Sequence, residues 1–252
     1  MRLKRIFASL SLVFMVFAAY GCGATLEHKK DESNIYYRMG VVHLGEKNYS
    51  DALRDLTKAI ELYPEEPTYH NALGLAYLYK DMNREAIIEM KKAIELDSKF
   101  TESHVNLSAI YLADKNWDGA LAESTEAIND IFYKTPELAY LNMGQAYFGK
   151  GQYSAAVESY KKAVGIRQNY PLAWYLLGQT YDRMDRLKDA KDAYEEALKH
   201  APEYIDAYFG LGMTFVKLRD SKGAAKAFGK VVELAPDTEK ARSAREYMKL
   251  MK

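Results

Sequence analysis

The sequence predicts an all-α solenoid of six helical hairpins. Three observations carry that prediction: a small residue that recurs every 34 positions, rings and alanines held in register around it, and helical spacing within each half-unit. Gly40, Gly74, Gly144, Gly178 and Gly212 are spaced 34, 70, 34 and 34, and Ser108 stands 34 after Gly74. Four residues before the small residue comes an aromatic or His (Tyr36, His70, His104, Tyr140, Trp174, Tyr208), and one before it comes Met or Leu (Met39, Leu73, Leu107, Met143, Leu177, Leu211). Three after it is a ring (His43, Tyr77, Tyr111, Tyr147, Tyr181, Phe215), and twelve after it is always alanine (Ala52, Ala86, Ala120, Ala156, Ala190, Ala224). A second small or branched residue then follows: Ala59, Ala93, Ala127, Ala163, Ala197 and Val231.

Within each half these slots follow the 3.6-residue period, so each unit reads as two amphipathic helices joined by a short turn. Gly on the first helix and Ala on the second let the backbones approach, while rings fill the gaps beside them. Pro64, Pro202 and Pro236 close three of the six units. The pattern resembles the tetratricopeptide repeat over residues 33–238, and that resemblance implies a right-handed solenoid. Residues 239–252 read as a C-terminal capping helix, because Glu239, Lys240, Arg242 and Arg245 can solvate the last repeat.

The N-terminus has different chemistry. Arg2, Lys4 and Arg5 precede an apolar stretch from Ile6 to Ala19, then Ala19-Tyr20-Gly21-Cys22. This order reads as a signal peptide over residues 1–21, too short for a comfortable membrane span. Cys22 is the one cysteine, which excludes a disulfide within a single chain. Its place at the end of the signal resembles a bacterial lipobox, with Ala19 where Leu is usual. The resemblance implies that Cys22 is the lipid-attachment residue, carrying acyl chains that hold the protein on the envelope without spanning a membrane. By resemblance to enterobacterial lipoprotein sorting, Gly23 rather than Asp after it implies the periplasmic face of the outer membrane. Residues 22–32 carry no helical stripe and read as the acylated Cys and a flexible tether.

Composition narrows the function. Lys and Arg number 35, as do Asp and Glu, so no electrostatic case for nucleic acid exists. Phosphate-loop, nucleophile-elbow and zinc-protease motifs are all missing: Gly149-Lys150 is followed by Gly151, and Gly229-Lys230 by Val231. His70 and His104 share one slot in adjacent repeats and are weighed as metal ligands, yet Tyr or Trp fills that slot elsewhere, which makes ring packing the simpler role. The reading is therefore a non-enzymatic, protein-binding chain with no catalytic residue, no metal and no cofactor.

The surface expected to bind is the inner face lined by the first helix of each repeat. The residues just after the opening aromatic, just after the Gly, and one turn further are Tyr37, Val41 and Leu44; Asn71, Leu75 and Leu78; Val105 and Leu112; Leu141 and Phe148; Tyr175; and Phe209. Gln145, Gln179 and Asp182 interrupt the apolar run in the second half. Contiguous apolar surface of this kind marks a binding site, here for an apolar or amphipathic protein segment.

One irregularity narrows the family. From Ser108 to Gly144 is 36 residues, so the third unit carries two extra residues near Ile131-Phe132-Tyr133-Lys134-Thr135-Pro136. Ala127, Asp130, Tyr133 and Pro136, followed by Asn142-Met143-Gly144, together with six repeats and the lipobox, resemble the PilF/PilW/Tgl family of type IV pilus pilotins. Ser108 and Ala109 stand where that pattern has glycines. The resemblance implies a lipoprotein that helps an outer-membrane secretin reach the membrane and assemble its multimer. The other reading is a general envelope adaptor that docks cell-wall hydrolases or other envelope proteins, as NlpI-like proteins do.

The anchor is directly testable. Cys22→Ser removes the only thiol able to form a thioether, so membrane tethering should fall from several acyl chains to none. Membrane fractionation should move the protein to the soluble fraction or leave an unprocessed precursor, and unchanged association would remove the lipid anchor.

Overall fold

The small-residue slot sets how each pair of helices meets. A computed structural model of the chain describes residues 26–251, which form helices and turns with no strand among them. The helices are α1 (26–45), α2 (Tyr49–Leu62), α3 (Pro67–Leu78), α4 (Asn83–Leu96), α5 (Thr101–Ala113), α6 (Trp117–Asn129), α7 (Pro136–Gly149), α8 (Tyr153–Ile166), α9 (Pro171–Arg183), α10 (Leu187–His200), α11 (Ile205–Lys217), α12 (Ser221–Leu234) and α13 (Glu239–Leu250). The expected signal over 1–21 and Cys22 lie outside the described residues. Residues 26–32, expected as part of a tether, are instead the first turns of α1. They are held there by polar contacts that a search for an apolar stripe does not detect. Buried Ser33 donates to the Lys30 carbonyl (2.8 Å) and meets the Tyr69 hydroxyl (3.1 Å), while the Lys30 ammonium lies over the Tyr63 ring.

The chain forms two compact units, one through Asn106 and one from Leu107, with the boundary inside α5. In the first, Ala52, Leu56, Ala72, Leu73 and Ala76 make the core, and Tyr37, Leu44 and Tyr77 pack on it. In the second, a core runs from Leu141 to Ala227, and a further cluster joins Ala224, Phe228 and Val231 to Ala241 and Ala244 of α13. The expected cap is therefore a helix that buries two alanines and turns Arg242, Arg245, Glu246 and Lys249 outward.

Every alanine of the two invariant slots is fully buried, as is Val231. The small residue lies beneath a large side chain sixteen positions on, a slot the spacing analysis did not single out. A Cβ placed on Gly40 would stand 2.5 Å from Leu56, on Gly144 2.5 Å from Tyr160, and on Gly212 2.5 Å from Phe228. Gly74 lies under Met90 and Gly178 under Tyr194 in the same way. The third repeat solves the problem differently. Where Ser108 replaces glycine, its partner shrinks to Ser124, and the two hydroxyls share a buried hydrogen bond (2.7 Å), with Ser108 Oγ also donating to the Ala120 carbonyl (3.0 Å).

The turn inside each hairpin follows one rule. The residue seven after the small slot has positive φ in all six repeats: Lys47, Asp81, Lys115, Gly151, Asp185 and Arg219. Its N–H bonds the carbonyl three residues back, and the next N–H bonds the carbonyl five back, as in Asn48 to His43 (2.9 Å) and Asp220 to Phe215 (2.9 Å). This is the double closure of a helix C-terminus that satisfies two orphan carbonyls.

The ring slot pins the turn between repeats. His70 Nε2 meets the Pro64 carbonyl (2.9 Å), His104 Nε2 the Ser98 carbonyl (3.2 Å), and Trp174 Nε1 donates to the Gln168 carbonyl (2.8 Å), each six residues back. His70 also meets Glu89 through Nδ1 (2.7 Å). Burial alone lowers the His70 pKa, but the hydrogen bonds to Glu89 and Pro64 and the Glu89 charge outweigh it, and the net shift is upward.

Two outcomes follow from these pairings. Ser124→Leu alone should overpack Ser108 and cost about 1–3 kcal/mol, and adding Ser108→Gly should recover most of the loss by recreating the Gly40–Leu56 arrangement. Thermal denaturation of the four proteins measures the coupling, and additive losses would show that the two positions act independently. For His70, a folded pKa above the unfolded one stabilises fully below about pH 6.5 and fades as pH rises through the folded value. Chemical denaturation should find His70→Phe more damaging near about pH 6 than near about pH 9. An equal loss at both pH values would separate His70 from any ionic role.

Candidate partner-binding face

In the first unit the inner-face residues come from α1 and α3. Tyr37 stacks on buried Tyr69 with ring centroids 4.9 Å apart, which joins the two helices directly. Burial, then the charge of Glu66, raises the Tyr37 pKa, so its hydroxyl stays neutral. Val41 is 42% exposed, and Tyr37, Leu44, Asn71, Leu75 and Leu78 are half-buried. The Asn71 carbonyl oxygen accepts from Ser103 Oγ (3.0 Å) and Asn106 Nδ2 (3.1 Å), which fixes the plane of its amide. The same two helices thus carry partly exposed apolar side chains and one oriented amide, groups suited to a segment offering both side chains and backbone.

Two expected members are corrected. Val105 and Leu141 are buried, the latter inside the core of the second unit. Both occupy the slot after the opening aromatic, where Tyr37, Asn71, Tyr175 and Phe209 keep part of their surface free and the aliphatic Val105 and Leu141 are covered by their neighbours. Leu112, Phe148, Tyr175 and Phe209 remain half-buried in the second unit.

The face of the second unit is built around a carboxylate. Asp182 Oδ2 accepts from Thr214 Oγ1 (3.0 Å) and the Tyr194 hydroxyl (3.2 Å), and Oδ1 accepts from Lys217 Nζ (3.1 Å). Beside it, Gln179 Nε2 donates to the Tyr175 hydroxyl (2.7 Å), and the Tyr175 ring lies 5.1 Å from that of Tyr204. Burial, then Tyr175 and Asp206, pushes the Tyr204 pKa up to about 12. Burial likewise raises Tyr194, with Asp182 adding to it. These phenols are hydrogen-bonding handles at physiological pH. Spacing analysis named Asp182 and Gln179 but not Tyr194, Tyr204, Thr214 or Lys217. The available signal was an acid in a slot that is apolar in the other five repeats, since a half-buried carboxylate requires donors on adjacent helices.

The histidines do not gather. His70 is occupied by Pro64 and Glu89, and among the described residues no group of three or more His, Cys, Asp or Glu is placed to hold a metal ion. No described helix is long and apolar enough to cross a membrane.

Comparison with known proteins places this geometry. Tetratricopeptide-repeat family models match residues 33–66 and 171–204, residues 67–100 and 205–238, and residues 144–185. Together they span well over half of the chain, and residues 101–143, which hold the lengthened third repeat, lie outside these matches. No curated protein sequence matches significantly. Among solved structures, PilF of Pseudomonas aeruginosa is similar at 18% identity and a TM-score of 0.78, covering 87% of this chain and 99% of that one. PilW, described as a widely conserved type IV pilus biogenesis factor, is similar at 19% identity and a TM-score of 0.79, covering 84% and 98%. YrrB, a repeat protein with an unusual peptide-binding site, is 19% identical with a TM-score of 0.61, covering 76% and 97%. At these identities the likeness is one of fold. With the family models matched over more than half of its length and the solved folds alike, the chain belongs to the tetratricopeptide-repeat proteins, a protein-binding fold.

Proposed function

We propose that this chain is a non-enzymatic lipoprotein of the bacterial envelope, anchored through Cys22, that holds an amphipathic segment of an outer-membrane secretin and assists its multimer assembly. The observation that carries the reading is the inner face of the first unit. Val41 is exposed and Leu44, Leu75 and Leu78 are half-buried on α1 and α3, and α3 also carries the oriented Asn71 amide. The likeness in fold to PilF and PilW and the lengthened third repeat support the same reading. The mechanism needs no chemistry on the partner. Apolar side chains of the segment leave water against the aliphatic surface, Asn71 orients its backbone, and acyl chains on Cys22 hold the pair at the membrane.

Val41 and Leu75 are the positions to change, because the Tyr37 ring is committed to Tyr69 and its loss would disturb folding. Val41→Glu with Leu75→Glu should weaken binding to the purified periplasmic part of the secretin by about 2 kcal/mol, roughly thirty-fold, with helicity unchanged. Cells carrying the double variant should keep the lipoprotein yet lose heat-stable secretin multimers. Normal multimers at wild-type levels of the variant would reject this face and favour the general adaptor, whose contacts would then be sought on the polar face around Asp182.

A further inference from the structure

Two turns of the second unit gather its exposed apolar side chains. Ile131 and Phe132, 86% and 84% exposed, form the tip between α6 and α7, and Ile166 and Leu172, 50% and 39% exposed, flank the tip between α8 and α9. Among the described residues of that unit, Leu250 is the other large apolar side chain left exposed. The α6–α7 turn has six residues, 130–135, where the other turns between a second helix and the next helix have four. Its extra length is not slack. Asp130 Oδ1 accepts from the Phe132 N–H (2.9 Å), and the Tyr133 N–H donates to the Asp130 carbonyl (3.2 Å), so a closed turn holds Ile131 and Phe132 outside. The two tips are neighbours. Lys162, near the end of α8, lies over the Tyr140 ring of α7 (5.1 Å to its centre). Burial raises the Tyr170 pKa, Arg167 opposes it, and the charge of Glu137 in the first turn of α7 adds to it, so the turn before α9 lies within reach of the start of α7.

We propose that these two tips insert into the surface of a phospholipid bilayer, with Ile131 and Phe132 passing between headgroups and Lys134 and Arg167 staying at the phosphates. The order of groups along the helix axes selects this occupant. Apolar side chains stand outermost and project from turn tips rather than line a groove. Behind them comes a layer of cations on phenols, Arg167 over Tyr170 (4.8 Å to the ring centre) and Lys162 over Tyr140 one helical turn further in. A bilayer surface presents the same sequence of layers in reverse, phosphates and a zone favoured by Tyr and then acyl chains. Charge points the same way. Lys134 and Arg167 are the cations of the two tips, and the one acid there, Asp130, is bound to the Phe132 N–H. The remaining tips of the unit, 201–204 and 235–238, carry Glu203 and Asp237 and no cation, so anionic headgroups favour the first pair of tips over the second. The contact goes beyond the anchor proposed at Cys22: acyl chains would tether the chain, whereas these tips decide which side of the second unit meets the lipid. Four partly inserted side chains bind reversibly by themselves, so a tether or an excess of lipid fills the contact.

Fluorescence quenching by lipid tests the insertion on the full chain. Phe132→Cys, and exposed Lys188→Cys at the start of α10 as a control, are labelled with an environment-sensitive fluorophore. Each is placed on vesicles of phosphatidylethanolamine and phosphatidylglycerol at lipid excess. The probe at 132 should shift to shorter wavelength, brighten several-fold, and lose most of that signal when the lipids carry a nitroxide on the acyl chain. The probe at 188 should do none of these. Adding Ile131→Asp, Ile166→Asp and Leu172→Asp together should return the 132 probe to its aqueous emission with helicity unchanged. A second fluorophore found at Cys22 by mass would refute the acyl anchor alone, and the quenching is then read with Cys22→Ser, so the two proposals fail separately. Equal emission from both probes on vesicles overturns the insertion. A shift at 132 that lipid nitroxides leave unquenched would mean contact with protein, and it overturns the insertion as well.

Discussion

The close approach of two helices at one small residue is the constraint on which the rest of the structure depends. A helix pair can come together over a glycine only if the opposite helix supplies something to fill the space above it. Leu56, Met90, Tyr160, Tyr194 and Phe228 do this. The ring over Gly178 also lies 2.7 Å from a Cβ placed on Gly210 of the next repeat, and the buried alanine slots leave no volume to spare between the helices. Ser108 and Ser124 show that the pair behaves as a unit: when one member grows, the other shrinks, and a hydrogen bond replaces the apolar filling.

Most of the fold was legible because a repeat states its rule six times. Slots that are always small or always aromatic can be read from one chain, and every alanine named from spacing is buried. The pairing sixteen residues on was harder to see, since Leu, Met, Ser, Tyr, Tyr and Phe share no obvious class. They share only complementarity to the residue beneath. The first turns of α1 escaped for a similar reason, as Ser33 and Lys30 hold them through polar contacts rather than an apolar stripe.

The candidate site was less legible than the fold. A slot identifies which helix face a residue lies on, but its neighbours decide whether it reaches the surface. Tyr37, Asn71 and Val105 occupy the same slot, and only Val105 of the three is buried. The polar network at Asp182 of α9 draws its donors from two other helices, α10 and α11, so no local pattern contains it. The result is a chain whose first unit carries partly exposed aliphatic side chains and an oriented amide, and whose second carries a carboxylate held by a phenol, a threonine hydroxyl and an ammonium. The two faces thus differ in chemical character, where a uniformly apolar array would not.

The turn within each hairpin has a consequence for how such an array can vary. Its geometry is secured by backbone N–H groups and carbonyls, and the left-handed position accepts Lys, Asp, Gly or Arg alike. The cost of that conformation is modest for any one residue and is met by the closure around it. Side chains at these six sites are therefore released from the structural bargain that binds the rest of the repeat. They form an edge on which charge can be rewritten freely, leaving the protein a margin for tuning its solubility and its encounters while the packed interior stays as it is.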